Sequence, residues 1–404
     1  MRCGLLGRKL GHSYSPQIHA KLGSYAYTLF EKEPEEIDSF LQSGDFSSVN
    51  VTIPYKKDVI PYCAQISPIA QRLGAVNTII RNDSGELIGH NTDYFGFSSM
   101  LARSGIKIKG KKALVLGSGG ASNTASAVLQ EFGANVVVIS RSGSNNYTNL
   151  HLHKDAAVIV NTTPVGMYPN VNDSPVDLDI FTQLEGVLDL IYNPARTQLL
   201  MQAERRGLIA ENGLWMLVAQ AKESAEWFMQ KTISDDMIEK IHSTLRSQME
   251  NIILIGMPGC GKSTVAKTLG EQLNRKVVDA DAEIVLHAGR SIPEIFAQEG
   301  EAAFRKIESQ VLSALGKESG LIIATGGGCV TQPQNYESLH RNGTIIYITR
   351  QLEKLPTDGR PLSQKGKLEA MFEQRKPLYE AFADYTVCND GSIEDTISAI
   401  RRIL

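Results

Sequence analysis

Short runs of apolar residues recur along the chain at Leu114-Val115-Leu116, Val136-Val137-Val138-Ile139, Ala157-Val158-Ile159-Val160, Ile252-Ile253-Leu254-Ile255, Leu321-Ile322-Ile323 and Ile345-Ile346-Tyr347-Ile348. None alternates with polar residues, so the pattern predicts strands buried on both faces. Between them lie stretches of helical character, among them residues 124–132 and 263–273. Strand and helix in alternation predict parallel sheets, and the expected fold class is α/β throughout. Over residues 234–250 the apolar positions Met237, Ile238, Ile241 and Leu245 share one helical face and charged residues take the rest. This segment reads as a helical junction, and it leads directly into the run that starts near Asn251.

Length adds domain count to that picture. A chain of 404 residues, 42% hydrophobic and 21% charged, exceeds one ordinary core and suits two or three domains. Its net charge of −3 supplies no overall basic field, so neither nucleic acid nor a membrane is an expected partner, and the oligomeric state is left open. The five cysteines (Cys3, Cys63, Cys260, Cys329, Cys388) are scattered without a CxxC pair, which argues against a disulfide framework or a zinc site. No signal-like or membrane-length apolar stretch is present, and the expectation is a soluble, cytoplasmic protein.

Two glycine-rich turns carry chemistry. Gly256-Met257-Pro258-Gly259-Cys260-Gly261-Lys262-Ser263 follows one predicted strand and opens a helix, the context that a phosphate-binding loop requires. Its backbone N–H groups can face phosphate oxygens, Lys262 can neutralise the transferring phosphoryl group, and Ser263 can reach Mg²⁺. Gly117-Ser118-Gly119-Gly120-Ala121-Ser122 also lies between strand and helix and can admit a pyrophosphate. By itself it is a weak dinucleotide fingerprint. The following strand ends in Ser140-Arg141-Ser142, where an arginine favours NADP over NAD.

Further segments give each turn a setting. Before and after the second turn come Ser13-Tyr14-Ser15-Pro16, Asn50-Val51-Thr52-Ile53-Pro54-Tyr55-Lys56, Gly74-Ala75-Val76-Asn77-Thr78, Asn91-Thr92-Asp93, Asn161-Thr162-Thr163-Pro164, Asp189-Leu190-Ile191-Tyr192 and Asn212-Gly213-Leu214-Trp215. Together these resemble shikimate dehydrogenase over residues 1 to about 230. After the phosphate loop come Asp279-Ala280-Asp281, Phe304-Arg305-Lys306-Ile307-Glu308, Gly326-Gly327-Gly328, Gly359-Arg360-Pro361-Leu362 and Arg375-Lys376-Pro377. In that order they resemble shikimate kinase over nearly all of residues 251–404.

The resemblance implies a fusion of two enzymes of aromatic amino acid biosynthesis. It implies a substrate-binding domain formed by residues 1–95 and 213–247, a Rossmann-like NADP domain at 96–212 and a P-loop kinase domain at 251–404. For the dehydrogenase it implies that Lys56 and Asp93 form the catalytic pair at the reacting oxygen. Ser13, Ser15 and Tyr192 would hold the substrate carboxylate, and Thr52, Asn77 and Gln220 the ring hydroxyls. Gly117, Gly119, Gly120, Ala121, Ser140, Arg141 and Gly213 would contact NADPH. For the kinase, Lys262 and Asp281 would be catalytic, while Arg305, Arg375, Gly327, Gly328 and Asp281 would bind shikimate. Gly259, Gly261, Lys262, Ser263, Thr264 and a lid residue, Arg360, would bind ATP, with Ser263 and Asp279 at Mg²⁺.

Two departures stand out. Residues 142–154 are short and rich in Ser and Asn, which predicts an abbreviated helix after the second nucleotide strand and lacks a second arginine. The first helix is expected to end near Leu22-Gly23. Two other readings of the same residues are a non-catalytic sensor of shikimate-type ligands and an NAD-dependent quinate dehydrogenase; the intact Lys56, Asp93, Lys262 and Asp281 speak against the first, and Arg141 against the second.

Overall fold

The computed structural model describes residues 1–11, 13–355 and 365–404. It divides into two compact units, one formed by Met1–Tyr192 with Thr197–Thr244, the other by Asn193–Arg196 with Leu245–Leu404.

The first unit contains two sheets. Six strands, β1 (Arg2–Gly7), β2 (Ala26–Glu31), β3 (Ser48–Val51), β4 (Cys63–Ile66), β5 (Thr78–Arg81) and β6 (Leu87–His90), form a sheet in the order β2-β1-β3-β5-β6-β4. This sheet is mixed, because β5 runs antiparallel to both β3 and β6; the apolar runs that predicted parallel sheets all lie later in the chain. A short turn after β5, containing Gly85 at φ 83°, lets β6 fold straight back as a hairpin, with no crossover helix between. Helices α1 (Ser15–Leu22), α2 (Ile37–Gln42) and α3 (Pro68–Leu73) connect these strands, and α4 (Asp93–Ser104) leads out of β6. Helix α1 ends at Leu22, where the sequence predicted its stop.

The second sheet is all parallel: β7 (Lys112–Leu116), β8 (Asn135–Ile139), β9 (Val158–Asn161), β10 (Gly186–Asp189) and β11 (Ile209–Glu211) in the order β8-β7-β9-β10-β11. Helix α5 (Gly120–Glu131) joins β7 to β8, and α6 (Gln198–Arg205) joins β10 to β11. The order reverses beside β7, which opens a crevice at the carboxyl ends of the strands where α5 begins. A doubly wound nucleotide sheet commonly carries one more strand beyond the second. Here residues 142–154 hold only turns and a single 3₁₀ turn at Leu150–His153, so β8 remains an edge strand with Val138 exposed.

The chain then returns through α7 (Leu214–Met229) to pack on α4 and α1. At Gly96 of α4 an added Cβ would lie 2.8 Å from Met216 O and 2.9 Å from Gln220 Cβ. This close approach holds Asp93, the first residue of α4, near Gln220 of α7.

Helix α8 (Asp236–Met249) realises the predicted amphipathic junction, with Ile238, Ile241 and Leu245 buried. In the second unit β12 (Asn251–Ile255), β13 (Val277–Asp279), β14 (Ile322–Ala324), β15 (Gly343–Thr349) and β16 (Tyr385–Cys388) form a parallel sheet in the order β13-β14-β12-β15-β16. Around it lie α9 (Lys262–Leu273), α10 (Ala280–Ala288), α11 (Ile292–Leu315), α12 (Gln334–His340), α13 (Lys365–Phe382) and α14 (Ile393–Ile403). The central β12, whose five residues are all buried, delivers the phosphate loop at its carboxyl end.

Candidate active sites

In the first unit a cleft of about 330 Å³ opens between the two sheets. Eight residues expected at the dehydrogenase substrate line it: Ser13, Ser15, Thr52, Lys56, Asn77, Asp93, Tyr192 and Gln220. Lys56 Nζ lies 2.6 Å from Asp93 Oδ2, and both side chains keep some exposure to the cleft, 27% and 16%. Asp93 begins α4, so its carboxylate sits at the helix end where N–H dipoles favour negative charge. The Lys56 backbone is fixed by Val76 N, which donates to Lys56 O at 2.8 Å.

Ser13 and Ser15 line the cleft, Ser13 Oγ accepts from Ser15 N at 3.2 Å and Pro16 occupies the first turn of α1. Ser13 thus orders the start of the helix and faces the cleft as well. Tyr192 stands edge-on to Tyr14, with ring centroids 6.1 Å apart. Burial pushes its hydroxyl above the ordinary tyrosine value, keeping it protonated as a donor.

The glycine turn lies at the crevice of the parallel sheet. Gly117 has φ 106°, a conformation that suits glycine, and a Cβ there would come 2.8 Å from Thr162 Oγ1. Gly119 caps α5 and Gly120 starts it, and Cβ atoms at these two would meet nothing within 4 Å. Open space in front of a helix N-terminus fits a pyrophosphate. Ala121 and Gly213 also line the cleft, whereas Ser140 and Arg141 sit beyond β8 and outside that lining.

The described residues expected at the kinase site lie in the second unit. Gly256, Gly259 and Gly261 have φ of 146°, 86° and 100°, which curls the loop ahead of α9. Lys262 Nζ donates to Gly256 O at 2.9 Å and Met257 O at 3.0 Å. Thr264 follows Ser263 in the exposed first turn of α9. Ser263 Oγ donates to Asp279 Oδ2 at 2.9 Å, and Asp279 Oδ1 caps α10 by accepting from Asp281 N at 3.0 Å. Two neighbouring oxygen donors beside a phosphate loop suit a hard cation that keeps water and phosphate oxygens as its remaining ligands.

The triple glycine lies against Asp281, Glu308 and Arg305. A Cβ on Gly326 would lie 2.7 Å from Asp281 Oδ1 and 3.1 Å from Glu308 Oε1, and one on Gly328 would overlap the Arg305 guanidinium. Arg375 Nη1 donates to Gly327 O at 3.1 Å. Arg360 lies outside the described residues.

Two residues at these sites were quoted in the sequence motifs without a role. Asn50 lines the dehydrogenase cleft. Glu308, 1% exposed, holds Arg305 at 2.8 Å; burial raises its carboxyl above the ordinary value, and the Arg305 charge opposes that shift. Its position three residues after Arg305 on one helix was the available signal.

The folds, the cleft of the first unit and the phosphate loop of the second together define a nicotinamide-nucleotide dehydrogenase followed by a P-loop kinase. Comparison with known proteins narrows both classes. Residues 5–79 match the model of the shikimate dehydrogenase substrate binding domain, and residues 258–404 match that of shikimate kinase. The NADP(+) shikimate dehydrogenase of Clostridium beijerinckii is 35% identical over 267 residues, 61% of this chain and 98% of that protein. The one from Halothermothrix orenii is 39% identical over 54% of this chain and 87% of its own length. Among solved structures, shikimate dehydrogenase 1 of Peptoclostridium difficile shares 39% identity with a TM-score of 0.56, covering 61% of this chain and 97% of that one. The Thermus thermophilus shikimate dehydrogenase in complex with NADP(H) and shikimate shares 30% identity with a TM-score of 0.56, covering 60% and 99%. The chain belongs to the shikimate dehydrogenase family, and a shikimate kinase domain follows it in the same polypeptide.

Proposed function

We propose that the chain reduces 3-dehydroshikimate to shikimate with NADPH and then phosphorylates the shikimate 3-hydroxyl with MgATP. The observation that carries this reading is the Lys56–Asp93 pair at 2.6 Å, set in one cleft with the hydroxyl- and carboxylate-binding side chains.

The nicotinamide, when bound, supplies the hydride. As the carbonyl carbon accepts it, negative charge grows on the oxygen, and the Lys56 ammonium meets that charge and delivers a proton. Asp93 holds the ammonium in place. Ser13, Ser15 and Tyr192 anchor the carboxylate, so a ketone without one would bind poorly.

In the kinase cleft Asp281 orients the acceptor hydroxyl, Arg305 and Arg375 hold the substrate carboxylate, and Lys262 offsets charge on the phosphoryl group. Ser263 and Asp279 would hold the Mg²⁺, which screens phosphate charge. The oxygen reduced in the first reaction is the one phosphorylated in the second. A carbonyl oxygen cannot serve as the attacking hydroxyl, so reduction must come first. Five free cysteines suit a reducing compartment, and we place the enzyme in the cytoplasm.

Purified chain supplied with shikimate should form NADPH from NADP⁺ and, separately, ADP from MgATP. Silence in both assays would overturn the reading. Faster turnover of quinate with NAD⁺ would overturn the substrate assignment alone.

A further inference from the structure

Behind the dehydrogenase cleft lies a closed set of hydroxyl and amide groups centred on Ser224 of α7, a residue with no exposed surface. Ser224 Oγ accepts from Asn50 Nδ2 at 2.7 Å and donates to Gln220 O, one helical turn earlier, at 3.0 Å. It also lies 3.1 Å from Thr78 Oγ1 and 3.1 Å from Thr92 Oγ1, both on fully buried residues.

Those threonines reach the side chains that line the cleft. Asn77 Oδ1 is 3.1 Å from Thr78 Oγ1 and 3.3 Å from Thr92 Oγ1, and Gln220 Oε1 is 3.3 Å from Thr92 Oγ1. Asn77 Oδ1 also accepts from Thr92 N at 2.8 Å. A backbone N–H can only donate, so this contact fixes the Asn77 amide with oxygen inward and leaves Nδ2 as the end available to the cleft.

Among the proton assignments the distances admit, one satisfies every group. Asn50 Nδ2 donates to Ser224, Ser224 to Gln220 O, Thr78 to Asn77 Oδ1, and Thr92 to Gln220 Oε1. In that assignment Ser224 serves both Asn50 and the Gln220 carbonyl, and the threonine protons rest on the amide oxygens. Thr92 N sets the polarity of the Asn77 amide, and Gln220 Nε2 is held by donating to Leu217 O at 3.0 Å. Without the Ser224 hydroxyl the two threonines, 3.3 Å apart, would turn to each other and to Asn50 and loosen their hold on the two amide oxygens.

We propose that Ser224 is a positioning residue that keeps the Thr78 and Thr92 hydroxyls on the amide oxygens of Asn77 and Gln220 and thereby holds these two side chains for recognition of the substrate's ring hydroxyls. The inference rests on the proposed dehydrogenase function. A wall that offers donors is compatible with hydroxyl and carbonyl oxygens alike, since both accept, and it would serve substrate and product equally.

The test compares the intact chain with Ser224→Ala, using three constants: KM for shikimate, KM for NADP⁺, and the inhibition constant of cyclohex-1-ene-1-carboxylate, which keeps the carboxylate and lacks every ring hydroxyl. The expected result is a shikimate KM raised roughly tenfold, the scale of one lost buried hydrogen bond, with the other two constants unchanged. An unchanged shikimate KM would overturn the proposal, and so would a parallel rise in all three, which is what a merely structural role predicts. If Ser224→Ala does not fold, the same constants are read from Ser224→Cys, which keeps the volume and weakens the bonds, so that a smaller but selective rise in shikimate KM is expected. Failure of the unaltered chain to oxidise shikimate would instead reject the underlying function.

Discussion

Asp189 closes β10 with a carboxylate that has no exposed surface and accepts from Thr197 Oγ1 at 2.7 Å, Asn161 Nδ2 at 3.0 Å and Ile191 N at 3.1 Å. Burial outweighs these donors and pushes its pKa up to about 6. An unfolded aspartate titrates near 3.9, so the folded state binds this proton more tightly between those values. The stabilisation from the protonated form is therefore complete below about pH 4 and is lost as pH rises through about 6. Asp189→Asn removes the titration. Its stability relative to the unaltered chain should improve between pH 4 and pH 7 by up to roughly 3 kcal/mol. Both tryptophans, Trp215 and Trp227, lie in the first unit, so denaturant unfolding followed by their fluorescence reads that unit alone. A difference independent of pH would show that Asp189 does not titrate in this window.

Between elements, the decisive contact is the crossing of α4 and α7 at Gly96. Glycine inside a helix ordinarily costs about 1 kcal/mol against alanine, so Gly96→Ala would be stabilising if space allowed. The added methyl instead meets the Met216 carbonyl at 2.8 Å, and a backbone oxygen within a helix cannot turn aside. Overpacking of this kind costs about 1–3 kcal/mol and outweighs the gain in helix propensity. Because Asp93 and Gln220 belong to the two helices pushed apart, the variant should lose stability by tryptophan fluorescence and also show a raised shikimate KM. Its kinase rate should not change. The α5 end of the crevice presents the opposite case, since Gly119 and Gly120 face open space and are explained by the room a phosphate needs, not by packing.

At the scale of the whole molecule, the residues proposed for the two reactions fall in separate units, those for reduction in the first and the described ones for phosphorylation in the second. Lys56→Ala should abolish reduction by about a thousandfold and leave phosphorylation intact, and Lys262→Ala should do the reverse. We predict that an equal mixture of these chains converts 3-dehydroshikimate to shikimate 3-phosphate at nearly the flux expected from the active sites present. Flux far below that level would mean that shikimate passes between sites without release. Sequence alone determined the α/β class, the helical junction at α8 and the phosphate loop from Gly256 to Ser263, and the resemblance carried by its motifs singled out Lys56 and Asp93 as a pair. These were legible because a phosphate cradle must be built from consecutive residues between a strand and a helix, and because the substrate motifs are local. Tertiary structure decided the antiparallel turn at β5, the edge position of β8, the Gly96 crossing, the grip of Glu308 on Arg305, and the Ser224 network. Asn50 and Ser224 are 174 residues apart in the chain, and no local pattern of apolar and polar positions records a hydrogen bond that only the folded packing of β3 against α7 brings together.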